Sequence, residues 1–253
     1  MHVDSSPAPA SRPLHHPSVA RGPRLAVAVL LTGVALLLYL PYLEWLPRGI
    51  HEWAQADRLA LALSFYDFGL DFWHPRTFNL QSVDGITGVE FPLFSYLAAL
   101  VGTVLGRETI SPAFRLLTLA TAVTGCYCLF RLVYDATGRA ALALVPAAFL
   151  LSSPAFVYYS GNYLPDAAGA ALALVGVYRV VRGARAEAGI GGIVGGLLIL
   201  TLATLVKLSA GLYLGGAVVG VGLHVWQHRP RYSARHWLGL AATVAASGAA
   251  VLG

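Results

Sequence analysis

Charged residues stand at the edges of several apolar segments, where their side chains could act together on a ligand. Asp57 is followed by Arg58, Glu90 precedes a Phe-Pro pair, Asp166 follows a proline, and Lys207 is the only lysine in the chain. A carboxylate within hydrogen-bond reach can accept a proton from an incoming hydroxyl or bind a divalent cation. A lysine ammonium there can hold a phosphate group. We therefore treat these five residues as the candidate site.

Each of these residues also has an ordinary structural explanation. Asp57 and Arg58 suit solvated or mutually paired loop charges, and an acid such as Glu90 is favoured at a helix N-terminus by the helix dipole. Asp166, after a proline, suits a helix cap. Lys207 suits a lysine that marks the end of a span while its ammonium reaches water. The residues alone leave both explanations open at every position.

Two histidines, His51 and His74, fall in the same loop as Asp57 and could ligate a metal. They lack the i, i+4 spacing of a helical histidine pair and a CxxC companion, which are the usual signs of a zinc site. Ordinary polar loop histidines are the alternative. We keep His51, close to Asp57, as a substrate-binding candidate together with Arg58.

The composition predicts an integral membrane protein. Of the 253 residues, 57% are hydrophobic and 11% are charged, whereas a soluble domain is about one quarter charged. The apolar residues come in blocks of about 17 to 23, the length that crosses a hydrocarbon core of roughly 30 Å. Such blocks are expected to be helices, because a helix satisfies its own backbone polar groups in lipid. The net charge of +5 is not gathered into a Lys/Arg cluster on a soluble fold, which argues against a nucleic-acid footprint.

Arginines between the apolar blocks predict the topology, because short loops with Lys and Arg tend to stay cytoplasmic. The basic segment 12–24 places the N-terminus inside, and the connections 131–139, 179–185 and 229–235 lie on the same side. We therefore predict an all-α, polytopic fold in the plasma or inner membrane with about seven transmembrane helices. The predicted spans are 25–46, 112–134, 140–158, 165–181, 189–206, 209–226 and 238–253.

A long first outer loop, about residues 47–111, is expected to hold interfacial helices. An even number of crossings must separate its two ends, so the apolar block 91–106 is not one simple span. At 1.5 Å per residue this block is about 24 Å long, which suits an interfacial or half-inserted helix. A second, amphipathic helix along the membrane surface is predicted around Asp57. Asp166 and Lys207 are then expected on the same extracytoplasmic side.

The two ends of the chain also give predictions. Residues 1–24 are rich in Pro, Ser, Ala, His and Arg and are predicted to form a disordered cytoplasmic tail. Residues 25–253 form the membrane module. Because the chain stops inside an apolar block, at Gly253, we expect a product that is truncated at its C-terminus.

The order and predicted sidedness of four short motifs resemble the N-terminal half of the GT-C glycosyltransferases. The motifs are Trp53-Ala-Gln-Ala-Asp57, Glu90-Phe-Pro-Leu93, Tyr163-Leu-Pro-Asp166 and Val206-Lys-Leu-Ser-Ala-Gly211. Over about residues 25–215 the chain is similar to the family-39 type, which includes protein O-mannosyltransferases and lipid A aminoarabinose transferases. This resemblance implies a GT-C-like fold with its active site on the extracytoplasmic side of the membrane.

The resemblance also implies roles for individual residues. Asp57 would be the general base or the acid that positions the acceptor, and Lys207 would contact the phosphate of a polyprenyl-phosphate sugar donor. Glu90 would bind substrate or, with Asp57, a divalent metal cation, and Asp166 would be the acid of the second outer loop. Many relatives have an Asp-Glu pair in the first loop, whereas here Arg58 follows Asp57.

Two other functions are compatible with the sequence. A polytopic transporter or permease would share the low charge and the glycine-rich spans, although transporters usually place ionisable residues near midplane between repeated, broken helices. An inactive, truncated remnant of the transferase would explain the abrupt end. The gathering of acids in an outer loop favours the enzyme, which would transfer a sugar to an acceptor hydroxyl or phosphate.

Overall fold

The structure, a computed structural model, describes residues 21–77, 85–86, 88–185, 189–228 and 232–252. Every regular element in these ranges is a helix, apart from one isolated antiparallel bridge between Arg76 and Ile86. The all-α prediction is therefore confirmed for the described part of the chain. The α-helices are α1 (Arg21–Tyr39), α2 (Glu52–Phe68), α3 (Leu93–Leu105), α4 (Ile110–Thr137), α5 (Ala140–Ser152), α6 (Pro154–Ser160), α7 (Asp166–Arg185), α8 (Ile190–Val206), α9 (Gly211–Gln227) and α10 (Ala234–Leu252).

Among the described residues, four helical segments are long and apolar enough to cross a membrane. They are Arg24–Tyr42, Arg107–Thr137, Asp166–Arg185 and Leu208–Gln227, and a fifth is added if the bent pair α5–α6 forms one span. The chain is thus a helical protein with several candidate membrane spans. The predicted number of seven spans is not confirmed. Helix α8 is shorter than these segments, at 17 residues, and α10, although 19 residues long, is not apolar enough to be counted among them.

The predicted span at 140–158 is not one continuous helix. It is divided into α5 and α6, which meet at an angle of 71°. The break falls at Ser153, whose backbone is extended because the proline that follows disfavours the helical region for the residue before it. Tyr39 of α1 donates a hydrogen bond to the carbonyl of Val157, which holds the short α6 against the bundle.

The ends of the chain only partly meet the predictions. Most of the predicted tail, up to residue 20, lies outside the described residues, and α1 already begins at Arg21 within the predicted tail. The helices predicted within residues 47–111 are present as α2 and α3, while residues 78–84 and 87 lie outside the described residues.

The centre of the bundle is α7, which packs against both α4 and α8. Close approach needs small residues at the contacts, as is usual between helices in lipid. A Cβ added to Gly125 of α4 would lie 2.6 Å from the Cα of Ala171 in α7, so no larger side chain fits there without moving a helix. The outer surface, in contrast, exposes large apolar side chains such as Leu37 (78%) and Leu212 (83%), as expected for contact with lipid.

At one end of the bundle, α2 and α3 form a layer over the start of α4. Leu59 and Ala62 of α2 are buried with Phe94 and Ala98 of α3, and Phe114 of α4 belongs to the same cluster. This apolar contact fixes α2 on the bundle. The charged face of α2 is thereby held next to the beginning of α7.

Candidate functional site

A cavity of about 780 Å³ opens where α7 begins and α8 ends, under the N-terminal half of α2. Trp53 and Tyr159 contribute aromatic side chains to its lining, beside several polar residues. All six residues predicted for the site line this one cavity: His51, Asp57, Arg58, Glu90, Asp166 and Lys207. Side chains from four separate parts of the sequence therefore meet around a single space.

Helix α2 contributes an exposed acid, Asp57, to the cavity. Asp57 lies one turn after Trp53, so both side chains share the face of α2 that lines the cavity. Asp57 is exposed and makes no ion pair or hydrogen bond with the described residues. The alternative in which Asp57 and Arg58 pair with each other is not what the structure shows. An ionised carboxylate without a partner can accept a hydrogen bond from a ligand hydroxyl.

The other four charges form a chain of ion pairs. Arg58 Nη2 lies 2.6 Å from Glu90 Oε2, while Lys207 Nζ lies 3.9 Å from Glu90 Oε1 and 3.1 Å from Asp166 Oδ1. Glu90 is thus shared by two cations, and Lys207 by two acids. This arrangement links the loop before α3 to the start of α7 and the end of α8.

Lys207 is placed by the end of α8. Its own backbone is extended (φ −149°, ψ 113°), which terminates the helix and turns the side chain toward α7. Gly169 of α7 permits this approach, because a Cβ at that position would lie 2.6 Å from the Cβ of Lys207. The ammonium group then reaches Asp166 in the first turn of α7.

Asp166 owes its position to a buried arginine that the sequence analysis did not identify. Arg115 of α4 donates hydrogen bonds to the carbonyl oxygens of Gly161 (2.7 Å) and Trp45 (2.6 Å), and its Nε to the hydroxyl of Tyr163 (3.1 Å). The guanidinium also lies over the Tyr163 ring, 4.6 Å from its centroid. Arg115 therefore fixes the segment that leads into Asp166.

A signal for Arg115 was present in the sequence. An arginine inside a predicted span is costly in lipid unless it has partners, so its occurrence marks a position with a special role. Here the partners are two backbone carbonyls and a tyrosine. Their positions along the chain could not be deduced from spacing.

A second buried group holds the entry to α2. Gln55 donates its amide to the carbonyl oxygens of Arg48 and Ile50, both at 3.1 Å, and to the hydroxyl of Tyr158 at 2.9 Å. His51, directly before α2, has a left-handed backbone (φ 58°), which is uncommon for a residue other than glycine. The hydrogen bonds of Gln55 support this turn, and His51 reaches the cavity edge as a result.

His74, the other candidate metal ligand, does not line the cavity. Its ring lies 2.8 Å from the carboxylate of Asp71, in the loop after α2. This hydrogen bond, with the local charge of the ring, holds the pKa of Asp71 below its ordinary range. This contact agrees with the alternative in which His74 is an ordinary polar residue of the loop.

Charged side chains of both signs line the cavity. Its lining has three carboxylates, Asp57, Glu90 and Asp166, against two cations, Arg58 and Lys207, which leaves one net negative charge when the histidine is neutral. Among the described residues there is no group of three or more His, Cys, Asp and Glu side chains that could hold a metal ion. The metal role of Asp57 and Glu90 thus stays a prediction, and no step below depends on it.

Neither protein-family models nor curated proteins nor solved structures give a significant match to this chain. The case for function therefore rests on the cavity and its side chains.

Proposed function

We propose that the chain is a membrane glycosyltransferase that moves a sugar from a polyprenyl-phosphate carrier to an acceptor hydroxyl or phosphate on the extracytoplasmic side. The observation that supports it is the single cavity lined by Asp57, Glu90, Asp166 and Lys207. Residues that are far apart in sequence converge there, and one of the acids has no partner among the described residues.

Asp57 is the base in this proposal. The acceptor oxygen attacks the anomeric carbon of the sugar, and the bond between that carbon and the phosphate oxygen breaks. The acceptor proton goes to the Asp57 carboxylate, while the bonding electron pair leaves with the polyprenyl phosphate. A base must lie within hydrogen-bond reach of the hydroxyl that it deprotonates, and the exposed Asp57 can be approached from the cavity.

Lys207 stabilises the leaving phosphate. Of its two ion pairs, the one with Glu90 is longer, at 3.9 Å against 3.1 Å for Asp166. A phosphate would therefore replace Glu90 more easily than Asp166. Glu90 would stay neutralised, since Arg58 binds it at 2.6 Å. A cation aimed at developing negative charge is the kind of electrostatic stabilisation that this departure needs.

A sugar suits the remainder of the lining. Carboxylates can accept hydrogen bonds from sugar hydroxyls, and guanidinium groups can donate hydrogen bonds to them. Trp53 and Tyr159 offer apolar aromatic surfaces beside them. A mixture of charged groups and aromatic faces fits a neutral, polyhydroxylated ligand better than it fits a purely apolar one.

The test is a transfer assay on the full-length protein in membranes, supplied with radiolabelled polyprenyl-phosphate mannose and polyprenyl-phosphate aminoarabinose. We expect transfer by the natural chain and its loss in Asp57→Asn. Glu52→Gln is the matched control, since Glu52 lies on the same helix, is exposed and does not line the cavity. Full activity of a normally inserted Asp57→Asn protein would refute the role of Asp57.

A transporter is the second candidate, because of the bent pair α5–α6. Broken helices with free ends at a binding site are typical of secondary transporters, and Tyr159 of α6 lines the cavity. Measuring sugar uptake and label transfer in the same membranes discriminates between the two functions. Uptake of a free sugar without any transfer of label would favour the transporter, whereas transfer of label without uptake favours the enzyme.

A further inference from the structure

A second large cavity, of about 830 Å³, lies at the opposite end of the bundle from the candidate site. It is lined by the last turns of α4 and α7 and by the beginning of α1. Along α7, Arg182 lies 16 residues after Asp166, which separates the two ends by about 24 Å at 1.5 Å per residue. The function proposed above makes no use of this second cavity.

The lining of this cavity has a strong excess of positive charge. Four arginines face it and only one described acid, Asp135. Arg131 binds Asp135 with Nη2 at 3.1 Å from the carboxylate, and Arg24 reaches the same carboxylate at 3.8 Å. A single carboxylate is therefore shared between two guanidinium groups. The other two arginines of the lining are Arg182 and Arg185.

These remaining groups are available for an anion. Arg182 and Arg185 are exposed on α7 and form no ion pair with a described carboxylate. The Nε of Arg24 is buried and has no hydrogen-bond partner among the described residues. Guanidinium groups bind phosphate through paired, charge-assisted hydrogen bonds, so this set suits a phosphate group.

An apolar groove of about 560 Å³ begins at the edge of this cavity. It runs between α7 and α9, and it shares Val181 and Arg185 with the basic cavity. Its lining is mostly apolar, and Gly216 and Gly220 of α9 leave open space along it, since a Cβ at either position would meet no atom within 4 Å. An anion site that continues into an apolar groove has the shape of a lipid: a charged head followed by a chain.

We propose that this end of the bundle binds an anionic phospholipid. Its phosphate lies in the cavity among Arg24, Arg131, Arg182 and Arg185, and one acyl chain lies in the groove between α7 and α9. Basic pockets between membrane helices are known to bind acidic head groups. The groove favours a lipid over a free phosphate ion, because a free ion would use the arginines alone.

The first experiment titrates the detergent-purified full-length chain with phosphatidylglycerol and with phosphatidylcholine, and counts bound lipids by native mass spectrometry. We expect preferential binding of phosphatidylglycerol. The double variant R182Q/R185Q should weaken it about tenfold or more, since charge-assisted hydrogen bonds to phosphate are strong. Arg179→Gln is the matched control, because Arg179 is also exposed on α7 but does not line either cavity.

The second experiment separates a lipid from a free phosphate. The double variant G216L/G220L places two leucine side chains in the groove, and G215L/G222L adds the same bulk at glycines of α9 that do not line it. We expect weaker phosphatidylglycerol binding only in G216L/G220L, with no change in competition by inorganic phosphate. Equal loss in R179Q and R182Q/R185Q would overturn the proposal, as would binding of inorganic phosphate alone with no effect of G216L/G220L.

Discussion

The two ends of the helical bundle differ in the charged side chains that line their cavities. Around the acid-lined cavity, three carboxylates and two cations come from four separate segments, and four of the five charges are already paired. Around the arginine-lined cavity, four cations face one described carboxylate. The difference is that the charges at the first end are paired with one another apart from Asp57, whereas the second end has an excess of positive charge that suits an anion.

The two ends also differ in what supports them. The acid-lined cavity depends on buried polar side chains, Arg115 and Gln55, which fix backbone carbonyls of distant loops. Among the described residues, the lining of the arginine-lined cavity comes from α1, α4 and α7 and from Gly138, directly after α4. The predictions below, from the largest expected effect to the smallest, disturb either the end with the acid-lined cavity or the helix contact between the two ends.

Replacement of Arg115 should have the largest effect. In Arg115→Met the buried Gly161 carbonyl loses its charged donor and the Trp45 carbonyl keeps only the Tyr163 hydroxyl, so the free energy of unfolding should fall by about 3 kcal/mol. Denaturant unfolding of the purified protein measures this change. Arg179→Met, on the exposed side of α7, should have little effect. An Arg115→Met protein as stable as the control would contradict the role of this network.

Replacement of Lys207 should increase the difference in net charge between the two cavities. Lys207→Met leaves Asp166 without its cation and changes the net charge of the cavity lining from −1 to −2. If Lys207 stabilises the departing phosphate, the transfer rate should fall about a hundredfold, the usual cost of one electrostatic stabiliser. The radiolabel assay measures this rate. Lys207→Arg keeps the charge and should retain much more activity; equal loss in both variants would argue against an electrostatic role.

A bulky residue at Gly125 should disturb the contact that joins both ends. In Gly125→Leu the new side chain would collide with Ala171 of α7, and overpacking of this kind costs about 2 kcal/mol of unfolding free energy. Thermal unfolding should show the loss. Gly33→Leu on α1, where a Cβ meets nothing within 4 Å, is the control. Equal melting temperatures would mean that α4 and α7 can separate without cost.

Acidification should have the smallest effect, and it tests the contact between Arg107 and Asp67. Arg107 donates two hydrogen bonds to the carboxylate of Asp67 and thereby lowers the pKa of Asp67. The lowered pKa means that this contact stabilises the fold fully above the ordinary pKa and that the contribution is lost as pH falls through the lowered one. Unfolding measured between about pH 5 and pH 2 should show a smaller pH dependence in Asp67→Asn than in the natural chain; an equal dependence in both would contradict the role of this contact.

Much of this architecture could be predicted from the sequence, because apolar block length alone indicates helices in lipid. The starts of α4, α8 and α9 lie within two residues of the predicted spans. The bend at Ser153 was missed, although Pro154 gave a local signal for it. The number of spans could not be settled by block length, since α8 and α3 are short helices of similar composition.

The residues of the site could be predicted from the sequence, but the ion pairs between them could not. Residues at span ends on one side are expected to be near each other, which brought Asp57, Glu90, Asp166 and Lys207 together as candidates. The sharing of Glu90 between Arg58 and Lys207 depends on how α2 packs on α3, and that packing is a property of the folded core. Arg115 had a signal as an arginine within a predicted span, but its partners Gly161, Trp45 and Tyr163 depend on how the folded chain meets α4.

The central claim is that the candidate site residues share one membrane face, opposite the arginine-lined cavity. Single cysteines at Asp57, Asp166, Arg182 and Arg185, in a background where Cys126 and Cys128 are serine, can be labelled on intact cells with a membrane-impermeant maleimide. We predict labelling of the first two positions without permeabilisation and of the last two only after it. Labelling of Asp57 and Asp166 from opposite sides would contradict a shared cavity and, with it, the proposed transferase.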